Sequence, residues 1–287
     1  MFESWGRSWQ LVKASWAVLQ ADRELLWFPV ISGIVTILIC VVMFIPSIAF
    51  FFLSAGVNET TTQVFGTIGT FIFYLVTYTI SIYFNTALIG AAMIRLDGGD
   101  PTMQDGFRIA NERLTTILTY AAMSATVGLI IRFLQERGGI LGNIIAFLGG
   151  VAWNVATFLV IPVLVVKDIS AWDAIKESTS LLRKTWGEQI TGNFSIGMIF
   201  GLGYVVIIML GMALTFGIGV ATESIPLIIT FVALTIVAFI VLAIIQGALN
   251  GIYQAALYRF AEEGVAPDAF DIEVLRNAFK PKRKRGM

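Results

Sequence analysis

Six long stretches of this 287-residue chain contain no charged residue: Leu25–Asn58, Thr60–Ile94, Leu114–Ile131, Gly138–Val166, Gln189–Thr222 and Ser224–Tyr258. They run to 34, 35, 18, 29, 34 and 35 residues. A helix that crosses the hydrocarbon of a bilayer needs about 20 apolar residues, within a range of roughly 17–25. Every stretch is long enough to cross once, and the longer ones must tilt, kink or end early. Pro29 and Pro46 bracket the first, Pro162 interrupts the fourth near its end, and Pro226 opens the sixth. The expected fold class is an all-α membrane protein, a single polytopic domain over residues 1–287 with six transmembrane helices.

Composition narrows the function classes. Charged residues make up 13% of the chain, against roughly 25% in an ordinary soluble domain. That excludes a soluble globular enzyme and a disordered chain alike. The 19 Lys and Arg residues balance 19 Asp and Glu, so net charge points to no nucleic-acid partner. With no His and one Cys, metal sites, disulfide frameworks and Cys–His chemistry are nearly excluded, and no cofactor is expected. Cys40 lies mid-membrane and reads as a small buried hydrophobe. Asp97-Gly98-Gly99-Asp100 and Asp105-Gly106-Phe107-Arg108 faintly suggest a metal-assisted lipid phosphotransferase, but the further Arg and Asp of such a motif are missing. The same residues read as a turn feeding a helix, with Asp100 as N-cap and Pro101 in the first helical position. No catalytic or metal-binding residue is expected, and the chain does not read as an enzyme.

The basic residues set the orientation. The turns around Glu59, Arg132–Arg137 and Glu223 hold 2 of the 19 Lys and Arg residues, and the remaining segments hold 17. Lys and Arg concentrate in short cytoplasmic loops, so both termini are expected in the cytoplasm and the three opposite turns outside. The first apolar stretch is too long for a cleavable signal, and no lipidation pattern is visible.

The segments on the basic side resemble one another. Trp5, Trp9, Val12, Trp16 and Leu19 fall on one helical face, as do Met103, Phe107, Ala110 and Leu114, and Trp172, Ile175, Thr179, Leu182 and Trp186. Ile272, Leu275 and Phe279 form a shorter stripe. Amphipathic helices of this kind lie along the bilayer interface or cover the ends of a bundle. Trp9, Lys13 and Ser15 recur as Trp172, Lys176 and Ser178 at the same spacing. An Asp-small-apolar pattern recurs at Asp105, Asp173 and Asp268, following Asn85, Asn154 and Asn250 by 20, 19 and 18 residues. The expectation is three tandem units of one interfacial and two spanning helices, 1–95, 96–167 and 168–259. A C-terminal interfacial helix and basic tail follow, 260–287.

Candidate binding residues are neutral polar groups. Asn85, Asn154 and Asn250, with Tyr78 and Thr86, form the expected intramembrane polar cluster. The asparagines either hold the units together or line a small cavity. The second stretch is unusually rich in such groups (Thr70, Tyr74, Thr77, Thr79, Ser81 and Tyr83 besides); hydroxyls here either bond back to their own helix or line a wet path. Gly197 and Gly201, and Gly247 and Gly251, stand four apart and allow close approach of the last two spans or of a second copy. Lys280, Lys282, Arg283, Lys284 and Arg285 are candidate contacts for anionic lipid, each contributing roughly 1 kcal/mol near a charged leaflet.

Asp22-Arg23-Glu24-Leu25-Leu26-Trp27-Phe28-Pro29 and Trp153-Asn154-Val155-Ala156-Thr157-Phe158-Leu159-Val160-Ile161-Pro162-Val163 resemble an uncharacterised prokaryotic family of multi-pass membrane proteins. The Ala174–Trp186 helix and the hairpin after it are more loosely similar to the non-catalytic membrane domain of some glycerophosphodiester phosphodiesterases. Neither resemblance implies an activity, a cofactor or a catalytic residue; the first implies a prokaryotic cytoplasmic (inner) membrane. The resulting expectation is a non-catalytic protein that organises membrane or binds lipid and protein partners, itself included, at the cytoplasmic leaflet. The alternative is a carrier or channel for a small neutral solute or lipid.

Overall fold

The computed structural model describes residues 2–53, 58–186, 195–276 and 278. In chain order the helices are α1 (Phe2–Ala21), α2 (Trp27–Leu53), α3 (Glu59–Leu96), α4 (Met103–Glu112), α5 (Leu114–Arg137) and α6 (Gly139–Ala156). Then come α7 (Val160–Val166), α8 (Ala171–Trp186), α9 (Ser195–Leu214), α10 (Ile225–Glu263) and α11 (Ile272–Arg276). A 3₁₀ turn (Arg23–Leu26) leads into α2, and a π-helical segment (Thr215–Val220) ends α9. No strand occurs among the described residues. Six segments are long and apolar enough to cross a membrane: Arg23–Ile45, Thr60–Leu96, Leu114–Arg137, Gly139–Val166, Ile199–Ile218 and Ile225–Glu263. They coincide with the six uncharged stretches, and the protein is a multi-pass membrane protein.

Proline chemistry accounts for the breaks. Pro162 has no N–H to donate to the carbonyl of Phe158, and its ring collides with that carbonyl in a continuous helix. The fourth span accordingly parts at residues 157–159 into α6 and α7. Pro226 lies in the first turn of α10, where the missing N–H costs nothing. α2, by contrast, runs through Pro46 to Leu53, so Pro46 does not end the helix.

The ends and the flanks of the bundle differ. Met103 N–H donates to Glu24 at 3.0 Å, Arg113 meets Asp168 at 2.5 Å, and Lys167 meets Glu262 at 2.9 Å. Arg259 pairs with Asp97, and Trp186 Nε1 donates to the carbonyl of Leu275 at 3.2 Å. These bonds gather α4, α8 and α11 at one end, the basic end, where α1 packs against α10 and α11. The buried core sits there too: Thr86 to Met93 on α3, Leu159, Val160 and Pro162 to Leu164 around the α7 break, and Ala248, Leu249 and Gly251 to Tyr253 on α10. Toward the other end the spans expose Val42, Ile140, Phe147, Met209 and Ile229, each more than 60% accessible. Water would not tolerate so large an apolar surface; hydrocarbon does. α3, α7 and α10 pack on one another, and α4, α8 and α1 lie against α3, α7 and α10 respectively.

Candidate functional site

The basic end is built from capped helices and ion pairs. α4 opens with a capping box, Asp105 N–H donating to Thr102 Oγ1 at 3.3 Å while Thr102 N–H donates to Asp105 Oδ2 at 3.1 Å. The N-cap is therefore Thr102, not Asp100, because only Thr102 stands three residues before a carboxylate that can answer it. Ser170 and Asp173 repeat the hydroxyl–carboxylate arrangement at α8, Asp173 N–H donating to Ser170 Oγ at 3.2 Å. The hydroxyl hydrogen bonds from Thr102 and Ser170, with Arg108 and Lys176 alongside, hold both carboxyls below the usual carboxylate range. The third occurrence of the pattern differs: α11 starts at Ile272, and Asp271 rather than Asp268 accepts its first N–H, from Glu273 at 2.7 Å. Lys167 is the hub, meeting Glu177 of α8 at 2.7 Å and Glu262 of α10 at 2.9 Å. The hydrogen bonds to Glu177 and then Glu262 hold its ammonium charged well above the ordinary lysine range.

The interfacial helices seat on small residues, and Trp9, Trp16 and Trp172 face outward while Trp186 does not. Ser15, Ala110 and Ser178 are each completely buried. Trp9 and Trp172 are 46% and 56% exposed, and Trp16 is also exposed. The packing face of α1 is Leu11, Val12, Ser15, Val18 and Leu19, so the tryptophan stripe forms its edge rather than its centre. On α8, by contrast, the stripe is mostly the packing face: Ile175, Leu182 and Trp186 are buried, and Trp172 is exposed. Amphipathic rings at the edge suit a headgroup region, where one side is apolar and the other wet. Lys13 lies 5.8 Å from the Trp9 ring centroid and Lys176 lies 5.7 Å from that of Trp172, so the recurring Trp–Lys spacing recurs as geometry.

Within the spans the expected cluster is not assembled. Asn85 and Asn154 are exposed, Asn250 is half-buried, and no hydrogen bond joins any two of them. They do lie at related depths, 11, 12 and 13 residues before the last residues of α3, α7 and α10 (Leu96, Val166 and Glu263). Thr86 is buried and donates to its own helix, to the Ile82 carbonyl at 2.7 Å. Thr70, Thr77 and Thr79 also bond back four residues. Tyr78 is exposed and meets Tyr74 edge-on at 6.2 Å. A polar seam that spacing did not single out runs between α3 and α5. Arg132 donates to Thr70 Oγ1 at 3.3 Å near the far end. Further in, Tyr120 and Ser124 are buried on α5. Tyr120 lies beside Thr157 of the α6–α7 break, whose own hydroxyl donates to the Trp153 carbonyl at 2.7 Å.

The glycine pairs do not bring α9 and α10 together. A Cβ on Gly251 would meet Leu88 of α3 at 2.5 Å, and one on Gly247 would meet Pro29 of α2 at 3.3 Å. A Cβ on Gly201 would meet nothing within 4 Å, and Gly197 is half-buried. The close contacts of α9 with α10 are instead at Gly203, against Leu242, and Gly211, against Thr235. Lys280, Lys282, Arg283, Lys284 and Arg285 lie outside the described residues, as does Phe279. No group of His, Cys, Asp and Glu that could hold a metal occurs among the described residues.

A family model described as a family of unknown function, DUF6159, matches residues 63–268. The chain belongs to the DUF6159 family. The DUF6159 match takes in all but the first turn of α3 and everything through α10, so it includes the Trp153–Val163 segment. The Asp22–Pro29 segment and α1 precede it. No curated protein matches this DUF6159 chain.

Proposed function

We propose that this DUF6159 protein is non-catalytic and holds anionic lipid at the cytoplasmic leaflet of a prokaryotic inner membrane, organising the bilayer around it. The observation that carries this reading is the pair of exposed Trp–Lys couples on α1 and α8, at the end where the basic residues and the tightest packing coincide. A tryptophan anchors at headgroup depth, and a lysine beside it offers a donor to phosphate. Three tandem units sharing one design suit such a role. The support is that α1, α4 and α8 each cover the second span of the unit before them, with α1 closing the circle on α10. The purified full chain in vesicles of mixed phosphatidylcholine and phosphatidylglycerol is expected to retain phosphatidylglycerol and to give neither solute flux nor lipid scrambling. Flux or scrambling above empty vesicles would overturn the reading. One observation favours a carrier as the second reading: the polar seam of Thr70, Arg132, Tyr120, Ser124 and Thr157 beside a broken span.

A further inference from the structure

Where α1 crosses the hairpin of α9 and α10, the three helices enclose an open groove of about 530 Å³. Ile199, Phe200 and Gly203 of α9 form one wall, and Leu242, Ile245 and Leu249 of α10 form the floor. Trp9, Val12, Lys13 and Trp16 of α1 form the rim. The volume lies in the range of sites that take small ligands, but this one is almost wholly apolar. Its walls belong to two membrane spans, so it opens where acyl chains are the surrounding solvent.

Lys13, the one charged residue among the described residues that line the groove, is what identifies the occupant. On α4 and α8 the basic residue at the corresponding position is neutralised within its own helix. Arg108 meets Asp105 at 3.1 Å and Lys176 meets Asp173 at 3.2 Å. On α1 the residue three before Lys13 is Gln10, and Lys13 has no acidic partner among the described residues. Its contact is with the face of Trp9. An uncompensated ammonium at the mouth of an apolar slot complements a molecule with a hydrocarbon tail and an anionic head. We infer that this groove is a binding site for one acyl chain of an anionic phospholipid, with Lys13 on its phosphate and Trp9 and Trp16 flanking the head. The inference deepens the lipid-holding reading above and rests on it.

The test uses the full chain in phosphatidylcholine vesicles containing a trace of phosphatidylglycerol with a diazirine in its acyl chain, or the matching phosphatidylcholine. Crosslinks are mapped by peptide. The phosphatidylglycerol probe is expected to label the Val12, Ile199 and Leu242 region about fivefold more than its neutral counterpart, the preference one lysine gives near an anionic head. Lys13→Gln should equalise the two probes there. Ile245→Trp should fill the floor and remove labelling by both, while thermal unfolding confirms an intact fold. Should that variant not fold, Lys13→Gln alone decides. Equal labelling in the unaltered protein, an unchanged preference in Lys13→Gln, or crosslinking of this face to a second copy would overturn the inference. If the anionic probe is enriched elsewhere on the protein but not here, the groove is wrong and the lipid-holding reading stands. If it is enriched nowhere, both fall.

Discussion

Gly106 fixes how closely α4 can sit on the bundle. A Cβ there would come within 2.5 Å of the Phe28 ring and 2.7 Å of the Ala87 carbonyl oxygen, and the carbonyl belongs to a rigid helix that cannot yield. Gly106→Ala is therefore expected to destabilise the protein by about 1–3 kcal/mol, as overpacking does. Gly201→Ala, whose new Cβ meets nothing within 4 Å, should stay within about 0.5 kcal/mol; thermal unfolding of the two variants in one detergent compares them. Spacing had singled out Gly201 and passed over Gly106, since four-residue spacing tells only that two small residues share a face, not which neighbour that face meets. Asp22 gives a second residue-scale test. It is buried, one carboxylate oxygen accepts from Glu24 N–H at 3.1 Å, and the other has no partner. Burial pushes its carboxyl up, which outweighs the Glu24 hydrogen bond and the nearby Arg95. A carboxyl whose folded pKa is raised costs stability while ionised, and the cost fades as pH falls through that raised value toward the ordinary 3.8. Asp22→Asn keeps the accepting oxygen and should raise Tm at pH 7, with the gain vanishing near pH 4.

Among the elements, the broken fourth span shows which parts of the fold are legible and which are not. Pro162 announces the break, because a proline inside a helix must disturb the preceding turn. Nothing local announces how the break is made good. Leu159 N–H, freed from its helix, donates to Ser178 Oγ of α8 at 3.1 Å in a fully buried setting. Ser15 holds the matching position on α1, equally buried, but α10 is continuous where α1 crosses it, and its Oγ has no partner. One recurring serine thus has two energetic roles, set by whether the helix beneath it is broken. Ser178→Ala should cost about 1–3 kcal/mol, the penalty for an unsatisfied buried donor, whereas Ser15→Ala removes a buried hydroxyl that bonds to nothing and should cost no stability. Chemical or thermal unfolding of the two variants measures the contrast. The interfacial helices were legible in their number and amphipathic character. The α8 stripe also gave its packing face, with Trp186 buried, but on α1 Trp9 and Trp16 sit at the edge, because tryptophan counts as apolar in any periodic pattern yet often lies where its N–H can stay wet.

At the scale of the molecule, the six uncharged stretches were sufficient to give the spans, because lipid leaves the backbone no alternative to a helix. The polar cluster was not legible for the converse reason. A hydroxyl in hydrocarbon can be satisfied four residues back on its own helix, as Thr70, Thr77, Thr79 and Thr86 are, and composition cannot tell that outcome from a lined path. Charge and geometry together give an expected orientation. Of the segments carrying 17 of the 19 Lys and Arg residues, three are joined at one end by the pairs of Arg113 with Asp168, Lys167 with Glu262 and Arg259 with Asp97, and the N-terminal one by Glu24, which accepts from Met103 N–H. On the positive-inside rule that end is expected on the cytoplasmic side. In that orientation Asn58, the N-cap of α3, is expected outside; its side chain is exposed and accepts from Thr61 N–H at 2.8 Å. In a Cys40→Ala background, a cysteine at Asn58 should react with a membrane-impermeant maleimide added outside intact cells, and one at Asp168 only after the cells are opened. Because the ion pairs and the Glu24 hydrogen bond tie the basic segments to the same end, labelling of residue 58 from the cytoplasm could not be a local error in one hairpin. It would invert all six spans together.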